Sequence, residues 1–590
     1  DLVRQYGVIS PRIERFGGAL KATVAVTDDI EASFTANYLQ SKVSYSGEPA
    51  TIRANGPAGI AFPRFSTYNS GPPNAPGSFA LALPVYVCPL VNGLPQPNCD
   101  VTNGTLNPNN PFAAQGLQAR ILGRIPNLTE FNETVSRTYR GAFSIAGPVT
   151  DNWNFAADIV GMVTDLTRTS TGYVYIQNLL NVVADGSYNF VNPLSNSQAV
   201  LDYLAPDNIT KSKSELYAAQ ISFNGTLFEL PAGPVQLGFG GQIRLESIDA
   251  PSANADFAGP TQRYFVLNAF GTKGERVVRS GFVELNVPAF EGFEVNASGR
   301  YDNYNSGQDA FSPKVGFRYK PIDALTLRGT WSRGFRIPSF AEANALPTTG
   351  FVNNTASTFP ESYLAQFGCT RATFTSCPTY LSSSSYGQTQ LASPDLKPEK
   401  STSWTAGVIF EPTRNIRLSV DYYNIKKKGA IIPAPFGPAL AAYYSGQAIP
   451  AGYNIIQDSP DPQNPGVLPR VAYVQAPLIN ANTIRSEGLD FAATGRFNFG
   501  DVRFTSSVEA TYIINLDTTF ADGSRESYEG TIGNYSLTAG SGTPEWHGSW
   551  TNTLEWNKWT ISATAEFFGG YNLSAEHVEG PGASGGCGML

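Results

Sequence analysis

The chain has 590 residues, of which 42% are hydrophobic and only 15% are charged. Soluble globular proteins carry about 25% charged residues, so this chain is poor in charge without being strongly apolar. The net charge of −8 and the pI near 5.1 argue against a nucleic-acid partner, because phosphate binding needs a basic surface. The sequence contains no run of about 18 or more consecutive apolar residues, which excludes ordinary transmembrane helices.

Two close pairs of cysteines lie in loop-like segments rich in Pro, Asn and Ser. Cys88 is close in sequence to Cys99, and Cys369 is close to Cys377. The sequence predicts a local disulfide for each pair, in an oxidising compartment, since neither pair has the spacing of a metal site. The alternative is four free thiols in a cytosolic protein. Cys587 is left without a partner.

Alternation of apolar and polar residues is the clearest pattern along the chain. In chain order it is strongest at 293–302, 325–332, 416–423 and 502–514. Successive side chains of a strand point to opposite faces, so each segment has one apolar and one polar face. The predicted strands run about 10 to 18 residues, against the usual five or six, which favours a membrane barrel over a soluble sandwich.

Short turns and long loops separate the predicted strands. Tight turns are predicted at 27–29, 147–150, 231–233, 320–323, 411–414 and 499–501. Long loops are predicted at about 48–115, 167–210, 250–275, 336–400, 430–482 and 518–542, with short helices at 197–204 and 438–444. Pairing strands across the turns gives about sixteen strands of an all-β transmembrane antiparallel barrel, with long loops outside and short turns in the periplasm.

Three stretches resemble the TonB-dependent receptor family. The segment 311–342 is similar to the family pattern that ends in "gFRaPs..E", and 393–401 is similar to "NP.LKPE.S". The segment 482–490 is similar to a strand start that ends in "GlD". The family motif residues in this chain are Arg333, Phe335, Arg336, Pro338, Leu396, Lys397, Pro398 and Glu399.

The resemblance implies a 22-strand barrel with an N-terminal plug folded inside it. Sixteen strands are about six too few, and nothing before residue 17 could form a plug. The expectation is therefore that residues 1–590 are one barrel domain, a fragment without the plug, the first strands and the last strands.

The two motif boxes, 335–338 and 396–399, bracket one long extracellular loop. One interpretation is substrate contact or loop gating. The other, which we favour, is that the prolines stop the strand ladder and the charged residues make polar contacts at the rim. The haem branch of the family would place a ligand histidine between the boxes, but none occurs from Phe340 to Asp395.

Loop aromatics and one histidine are the remaining candidates for chemistry. Stacking on a sugar or an aromatic ligand is one role for Tyr380, Tyr386, Tyr443 and Tyr444, and packing of the loop is the other. His547 alternates with Glu545 and Ser549, but a histidine facing a polar lumen is far commoner than a hydrolase site. We expect no enzyme, no cofactor and no metal site.

The resemblance implies active uptake of a scarce nutrient, most simply a ferric siderophore, energised through TonB. Oligosaccharide or cobalamin uptake, or a surface adhesin or passive porin, are the alternatives. The expected partners are outer-membrane lipid, the TonB complex through the plug, and a small ligand such as a metal chelate or glycan. A monomer in the Gram-negative outer membrane is expected.

Overall fold

We analysed a computed structural model that describes residues 6–52, 82–121, 123–252, 264, 271–382, 384–458, 460–461, 463–521, 523–531, 543–572 and 578–579. Sixteen long strands dominate this part of the chain. In chain order they are β1 Arg12–Ala25, β2 Glu31–Ile52, β3 Gly123–Thr150, β4 Trp153–Thr171, β5 Asn208–Leu230, β6 Gly233–Ala250, β7 Thr272–Phe290, β8 Phe293–Tyr304, β9 Asp309–Ile322, β10 Leu325–Arg336, β11 Glu399–Thr413, β12 Ile416–Pro433, β13 Val471–Phe499, β14 Val502–Thr519, β15 Trp546–Trp556 and β16 Trp559–Phe568.

The sixteen strands form one antiparallel wall in which each strand pairs with the next along the chain. Within the described residues, β1 pairs only with β2 and β16 only with β15. The predicted strand number and antiparallel order are confirmed. In the described part of the chain, no helix is both long and apolar enough to cross a membrane.

One end of the wall carries short turns and the other carries large loops. The turn end has eight connections, at 26–30, 151–152, 231–232, 291–292, 323–324, 414–415, 500–501 and 557–558. The loop end includes 172–207, 337–398 and 434–470, together with one short connection at 305–308. Apart from the connection at 305–308, the short connections lie at one end of the wall and the long ones at the other, as the sequence predicts.

Several predicted boundaries were wrong: the turns expected at 320–323 and 411–414 lie at 323–324 and 414–415, and two other boundaries have a clear structural reason. The turn expected at 147–150 lies at 151–152, because β3 continues to Thr150 through a bulge after Pro148. The loop expected to reach residue 482 ends at Val471, because the start of β13 pairs with two strands inside the loops, Ser385–Leu391 and Asn454–Gln457. Residues 471–477 thus extend the strand above the wall into the loop layer, while residues 478–482 still pair with β12.

Small elements organise the loop layer. The helices are α1 Ile176–Asp185, α2 Gln198–Leu204, α3 Phe340–Asn344, α4 Glu361–Leu364, α5 Thr379–Ser382 and α6 Gly437–Tyr444. The remaining loop strands are Ala82–Leu83, Tyr86–Val87, Thr105–Leu106, Ala119–Arg120, Thr348–Asn353, Arg525–Ser527 and Val578–Glu579, and 3-10 turns lie at Ala113–Gln115, Pro193–Ser195, Ala356–Thr358, Ala365–Phe367 and Phe374–Ser376. The two predicted loop helices are confirmed as α2 and α6, and α1 was not predicted.

The two faces of the wall differ in polarity as the alternation predicts. On β11 and β12 one face exposes the apolar residues Trp404, Val408, Leu418 and Val420. The other face is polar and holds cross-strand ion pairs, such as that between Arg328 and Asp421. An apolar face meets lipid and a polar face lines the lumen in barrels of this kind.

Candidate functional site: the extracellular mouth

The two motif boxes meet at one arginine. Arg336, the last residue of β10, donates from Nε to Glu399 Oε2 at 2.7 Å and from its Nη atoms to Glu342 at 2.8 and 2.9 Å. Glu399 is only 3% exposed and also accepts the Ile431 N–H at 2.8 Å, with Lys427 Nζ at 3.5 Å. The loop thus leaves and re-enters the wall at one ionic junction.

Helix α3 is tied to this junction through Glu342. The Ser339 hydroxyl accepts the Glu342 N–H, and the Glu342 carboxylate accepts the Ser339 N–H, which forms a capping box. Burial raises the pKa of the Glu342 carboxyl, but hydrogen bonds from Arg336 and Ser339 outweigh that effect and hold the pKa below its usual range. Glu342 is therefore held as a carboxylate that caps the helix and binds the arginine.

The segment 337–344 lies against the upper part of β7 and β8. Arg276 donates to the Pro338 carbonyl at 3.1 Å, and its guanidinium carbon lies 4.6 Å from the centre of the Phe340 ring. Ile337 packs on Val278, which is fully buried. These contacts fold the start of the loop against the wall on the face opposite the exposed Val283.

A glycine makes this close approach possible. A Cβ at Gly274 would overlap the Phe340 ring, whereas a Cβ at Gly281, on the same strand, would meet nothing within 4 Å. Position 274 therefore has a packing requirement that position 281 lacks.

A polar network continues below the mouth on the same face. Arg300 donates to Asp302, Ser280 and Gln242 at 2.8–2.9 Å, across three neighbouring strands. Ser280 also donates to Asp302 at 2.5 Å. The charges of Arg300 and Asp302 on the lumenal surface are therefore paired with each other and with neighbouring polar side chains.

The second motif box is anchored by one asparagine. Asn480 accepts the Lys397 N–H at 2.7 Å and donates to the carbonyls of Lys397 and Gly429 at 2.8 and 2.9 Å. Leu396 is buried, and its carbonyl accepts from Gln308. Pro398, half-buried, directly precedes β11.

The remaining motif residues lie on β10. The Phe335 ring is 6.3 Å from the ring of Tyr304, and the Arg333 guanidinium lies over the ring of Trp331. Seven of the eight motif residues make these contacts with the wall or with the loop ends, and the interpretation that the boxes fix the loop ends at the rim stays a prediction. Contact of these residues with substrate stays a prediction.

The tyrosines suggested for ligand stacking lie inside what we call the second loop cluster, the buried residues of 359–386 and 436–474. Tyr386, Tyr443 and Tyr444 are 5–8% exposed. Four tyrosine hydroxyls bond to one stretch of backbone, residues 468–471: Tyr363 and Tyr443 donate to the carbonyls of Leu468 and Pro469, and Tyr380 and Tyr444 accept the N–H groups of Arg470 and Val471.

In this arrangement the four suggested residues, Tyr380, Tyr386, Tyr443 and Tyr444, pack against neighbouring loop residues. Tyr380 is partly buried, and the other three are buried. Stacking of these residues on a ligand stays a prediction.

A buried ion pair and a disulfide complete the second loop cluster. Arg470 binds Asp458 at 2.7 Å with both side chains under 10% exposed, and its guanidinium lies 4.3 Å from the Tyr380 ring centre. Cys369 is bonded to Cys377. The disulfide joins residues 8 apart and the ion pair joins residues 12 apart, so both cross-link the second loop cluster locally.

The first loop cluster, which joins residues 82–128 to α1 and α2, is built differently. Cys88 is bonded to Cys99. A cavity of about 240 Å³ lies in the cluster, lined by Leu83, Phe112, Ile121, Ile125, Tyr188 and Phe190, among others. The Tyr188 hydroxyl is buried and has no hydrogen-bond partner among the described residues. Burial raises the pKa of Tyr188 to about 12, so the hydroxyl keeps its proton.

The structure gives His547 no hydrogen bond to Glu545 or Ser549 within the described residues, and its Nδ1 atom has no partner there. His577 and Cys587 lie outside the described residues.

Several residues that shape the mouth were missed from sequence, notably Arg276, Arg470 and Asn480. Each acts on a residue at least 12 positions away, so no local pattern marks it.

Comparison with known proteins identifies the family. The family model for the TonB dependent receptor-like β-barrel matches residues 97–583. A mutant ferric enterobactin receptor from Pseudomonas aeruginosa superposes with a TM-score of 0.52 at 13% identity, over 96% of this chain and 59% of that one. The RagAB peptide transporter gives 0.50 at 12% identity, over 95% and 58%.

At these identities the structural likeness shows the fold alone, and this chain spans about three-fifths of the length of those structures. No curated protein sequence matches the chain. The family model covers most of the 590 residues. The chain therefore belongs to the TonB-dependent receptor-like β-barrel family, whose members are transporters rather than enzymes and whose barrels are proteins of the Gram-negative outer membrane.

Proposed function

We propose that this chain is the barrel through which a Gram-negative outer membrane takes up a scarce nutrient, with a ferric siderophore as substrate and TonB as the energy source. The observation that carries the proposal is the combination of a barrel of this family with two loop clusters at its loop end and a polar inner face below them. Such a layer gives a bulky ligand a binding surface before it enters the lumen.

Within this proposal, residues 1–590 act as one barrel domain of a longer receptor. Energised uptake requires a plug and a TonB-contacting segment in the complete protein. The barrel acts as a monomer, since one chain can supply the wall, the mouth and both loop clusters.

The first loop cluster is the proposed place of substrate contact. Its cavity is lined by apolar side chains together with Arg124 and has room for one ring of an aromatic chelator, and the buried hydroxyl of the lining residue Tyr188 has no hydrogen-bond partner among the described residues. In the second loop cluster, four tyrosine hydroxyls are bonded to the backbone of residues 468–471. The ferric enterobactin receptor and the peptide transporter among the fold neighbours define two substrate classes that a test must separate.

The test is uptake by cells that express the complete protein as their only receptor of this type. Radiolabelled iron is supplied on a catecholate, a hydroxamate or a carboxylate siderophore, with and without TonB. We expect saturable iron uptake from one class of chelate, lost when TonB is absent, and induction of the gene by iron limitation.

Parallel arms with labelled cobalamin, a malto-oligosaccharide and a mixed peptide pool distinguish the alternatives. Saturable, TonB-dependent uptake of one of these, with no iron uptake, overturns the siderophore assignment and keeps the transporter. Equal, non-saturable entry of all the solutes without TonB indicates a passive porin. No uptake of any solute, combined with adhesion to host or bacterial surfaces, indicates an adhesin.

A further inference from the structure

Four basic residues cluster on the outward face of the wall near its loop end. We call this set, Arg333, Lys400, Lys426 and Lys428, the outer basic patch. By strand alternation these residues share a face with the exposed apolar residues of β11 and β12, such as Trp404 and Val420, and not with the lumenal Asp421. All four are exposed, and none forms a salt bridge with a described residue.

The register brings these residues side by side. Lys400 on β11 lies directly opposite Lys428 on β12. One step lower, a row across four strands runs from Arg333 through Thr402 and Lys426 to Arg485. Like charges directly opposite each other destabilise a sheet. The repulsion between Lys400 and Lys428 is therefore unfavourable, and no acidic side chain among the described residues forms a salt bridge with either lysine.

The acidic side chain next to Arg485 on β13 already has binding partners. Glu487 is 9% exposed, forms an ion pair with Arg485, and accepts hydrogen bonds from Tyr422 and Asn515, each at 2.6 Å. It therefore neutralises Arg485 and leaves the outer basic patch with an uncompensated positive charge.

The height of the patch matches the boundary of the apolar band. Lys400 lies ten residues up β11 from the exposed Phe410, which at about 2.5 Å of height per residue in a tilted strand is about 25 Å, the height of such a band. The rings of Trp331 and Trp404, 6.1 Å apart, lie just below the patch, where interfacial aromatics are found. The patch thus faces the lipid headgroups rather than the acyl chains or bulk water.

We propose that the outer basic patch is a binding site for the phosphate groups of an anionic lipid headgroup in the outer leaflet. A phosphate between Lys400 and Lys428 would relieve their repulsion, and the flexible lysine stems can reach it while lying along apolar surface. This inference rests on placement of the barrel in the outer membrane and not on what it transports, so the uptake assay can fail while this site stands.

The test is native mass spectrometry of the complete protein titrated with bis-phosphorylated lipid A, its dephosphorylated form and zwitterionic phosphatidylcholine. We expect preferential retention of the phosphorylated lipid, weakened about twenty-five-fold in Lys400→Gln/Lys428→Gln, since each lysine near an anionic surface changes affinity about five-fold. Arg414→Gln/Lys558→Gln removes two positive charges at the turn end and should retain the lipid as the wild type does.

Lys400→Arg/Lys428→Arg keeps the charge and should also retain the phosphorylated lipid, and heat-modifiable gel migration shows that each variant is folded. Equal retention by the glutamine variant and the wild type overturns the proposal. So does retention that ignores the phosphates of the lipid, or displacement of the lipid by inorganic phosphate at equal concentration, which would indicate a free-phosphate site.

Discussion

The two loop clusters cover the same end of the barrel but solve the burial of tyrosine in opposite ways. In the second loop cluster, the hydroxyls of Tyr363, Tyr380, Tyr443 and Tyr444 all bond to the backbone of residues 468–471. In the first, the buried Tyr188 hydroxyl has no partner in the described residues, and this residue is part of the lining of a cavity. A satisfied network makes a rigid support, whereas a buried unsatisfied hydroxyl gains a bond when a ligand group reaches it.

The largest expected effect comes from breaking the buried ion pair of the second loop cluster. Asp458→Ala should leave the Arg470 guanidinium buried without its carboxylate and lower the local stability of this cluster by about 3–5 kcal/mol. Native-state hydrogen exchange of the amides in 436–474 measures the change. The control is Asp249→Ala, which removes an exposed pair with Lys273 and should leave the exchange of these amides unchanged. Equal effects of the two variants would show that burial of the pair has no energetic weight.

The next effect concerns the mouth, where the loop 337–398 leaves and re-enters the wall. Gly274→Ala should push the Phe340 ring away from β7 and destabilise α3 locally by about 1–3 kcal/mol. Gly281→Ala on the same strand adds the same methyl group where nothing lies within 4 Å, and should change little. Exchange rates of the amides in 337–347 report the difference. If both variants leave these rates unchanged, the close packing of Phe340 on β7 is not required.

Removal of single hydroxyls sharpens the comparison of the clusters. Tyr363→Phe should cost about 0.5–1.5 kcal/mol of local stability, because the Leu468 carbonyl loses its donor. Tyr188→Phe should be neutral or slightly stabilising, because its hydroxyl has no partner to lose. Hydrogen exchange of each loop measures both. For the affinity of the transported ligand we expect the reverse order: Tyr188→Phe should lower the affinity, and Tyr363→Phe should leave it unchanged. Quenching of tryptophan fluorescence measures the affinity.

The sequence was sufficient for the wall and insufficient for the loops, for a physical reason. Strand alternation and turn residues are local signals, so sixteen strands and their orientation could be predicted. The suggested role of Tyr443 and Tyr444 depended on whether the rings face water or each other. That outcome is set by residues 468–471 and 359–363, which are distant in sequence and carry no shared pattern.

The disulfides and the motif boxes fall between these extremes. The pairs Cys88–Cys99 and Cys369–Cys377 could be suggested because each closes a short loop. The resemblance of 335–338 and 396–399 to family motifs located the rim. It did not reveal that Arg336 joins both boxes to α3, because Glu342 became a partner only through the fold of the intervening loop.

The smallest expected effect is a dependence of the mouth on pH. The folded pKa of Glu342 lies below its ordinary value of 4.5, so its contribution to stability is complete above that value and is lost as the pH falls through the folded pKa. Arg336 faces Glu342 directly, and Glu399 and Lys427 face the other side of Arg336. Protonation of Glu342 would therefore release α3 from the junction while Arg336 keeps Glu399.

A nitroxide on the exposed position 341, in an Ala341→Cys/Cys587→Ser background, reports the mobility of α3 by electron paramagnetic resonance. We expect constant, low mobility from neutral pH down to about 5 and a rise below 4.5. Glu342→Gln should be mobile at every pH, because the neutral amide lacks the charge that binds Arg336. A wild-type profile that is flat through this range, or a glutamine variant that still titrates in it, would place the acid-sensitive group elsewhere than at Glu342.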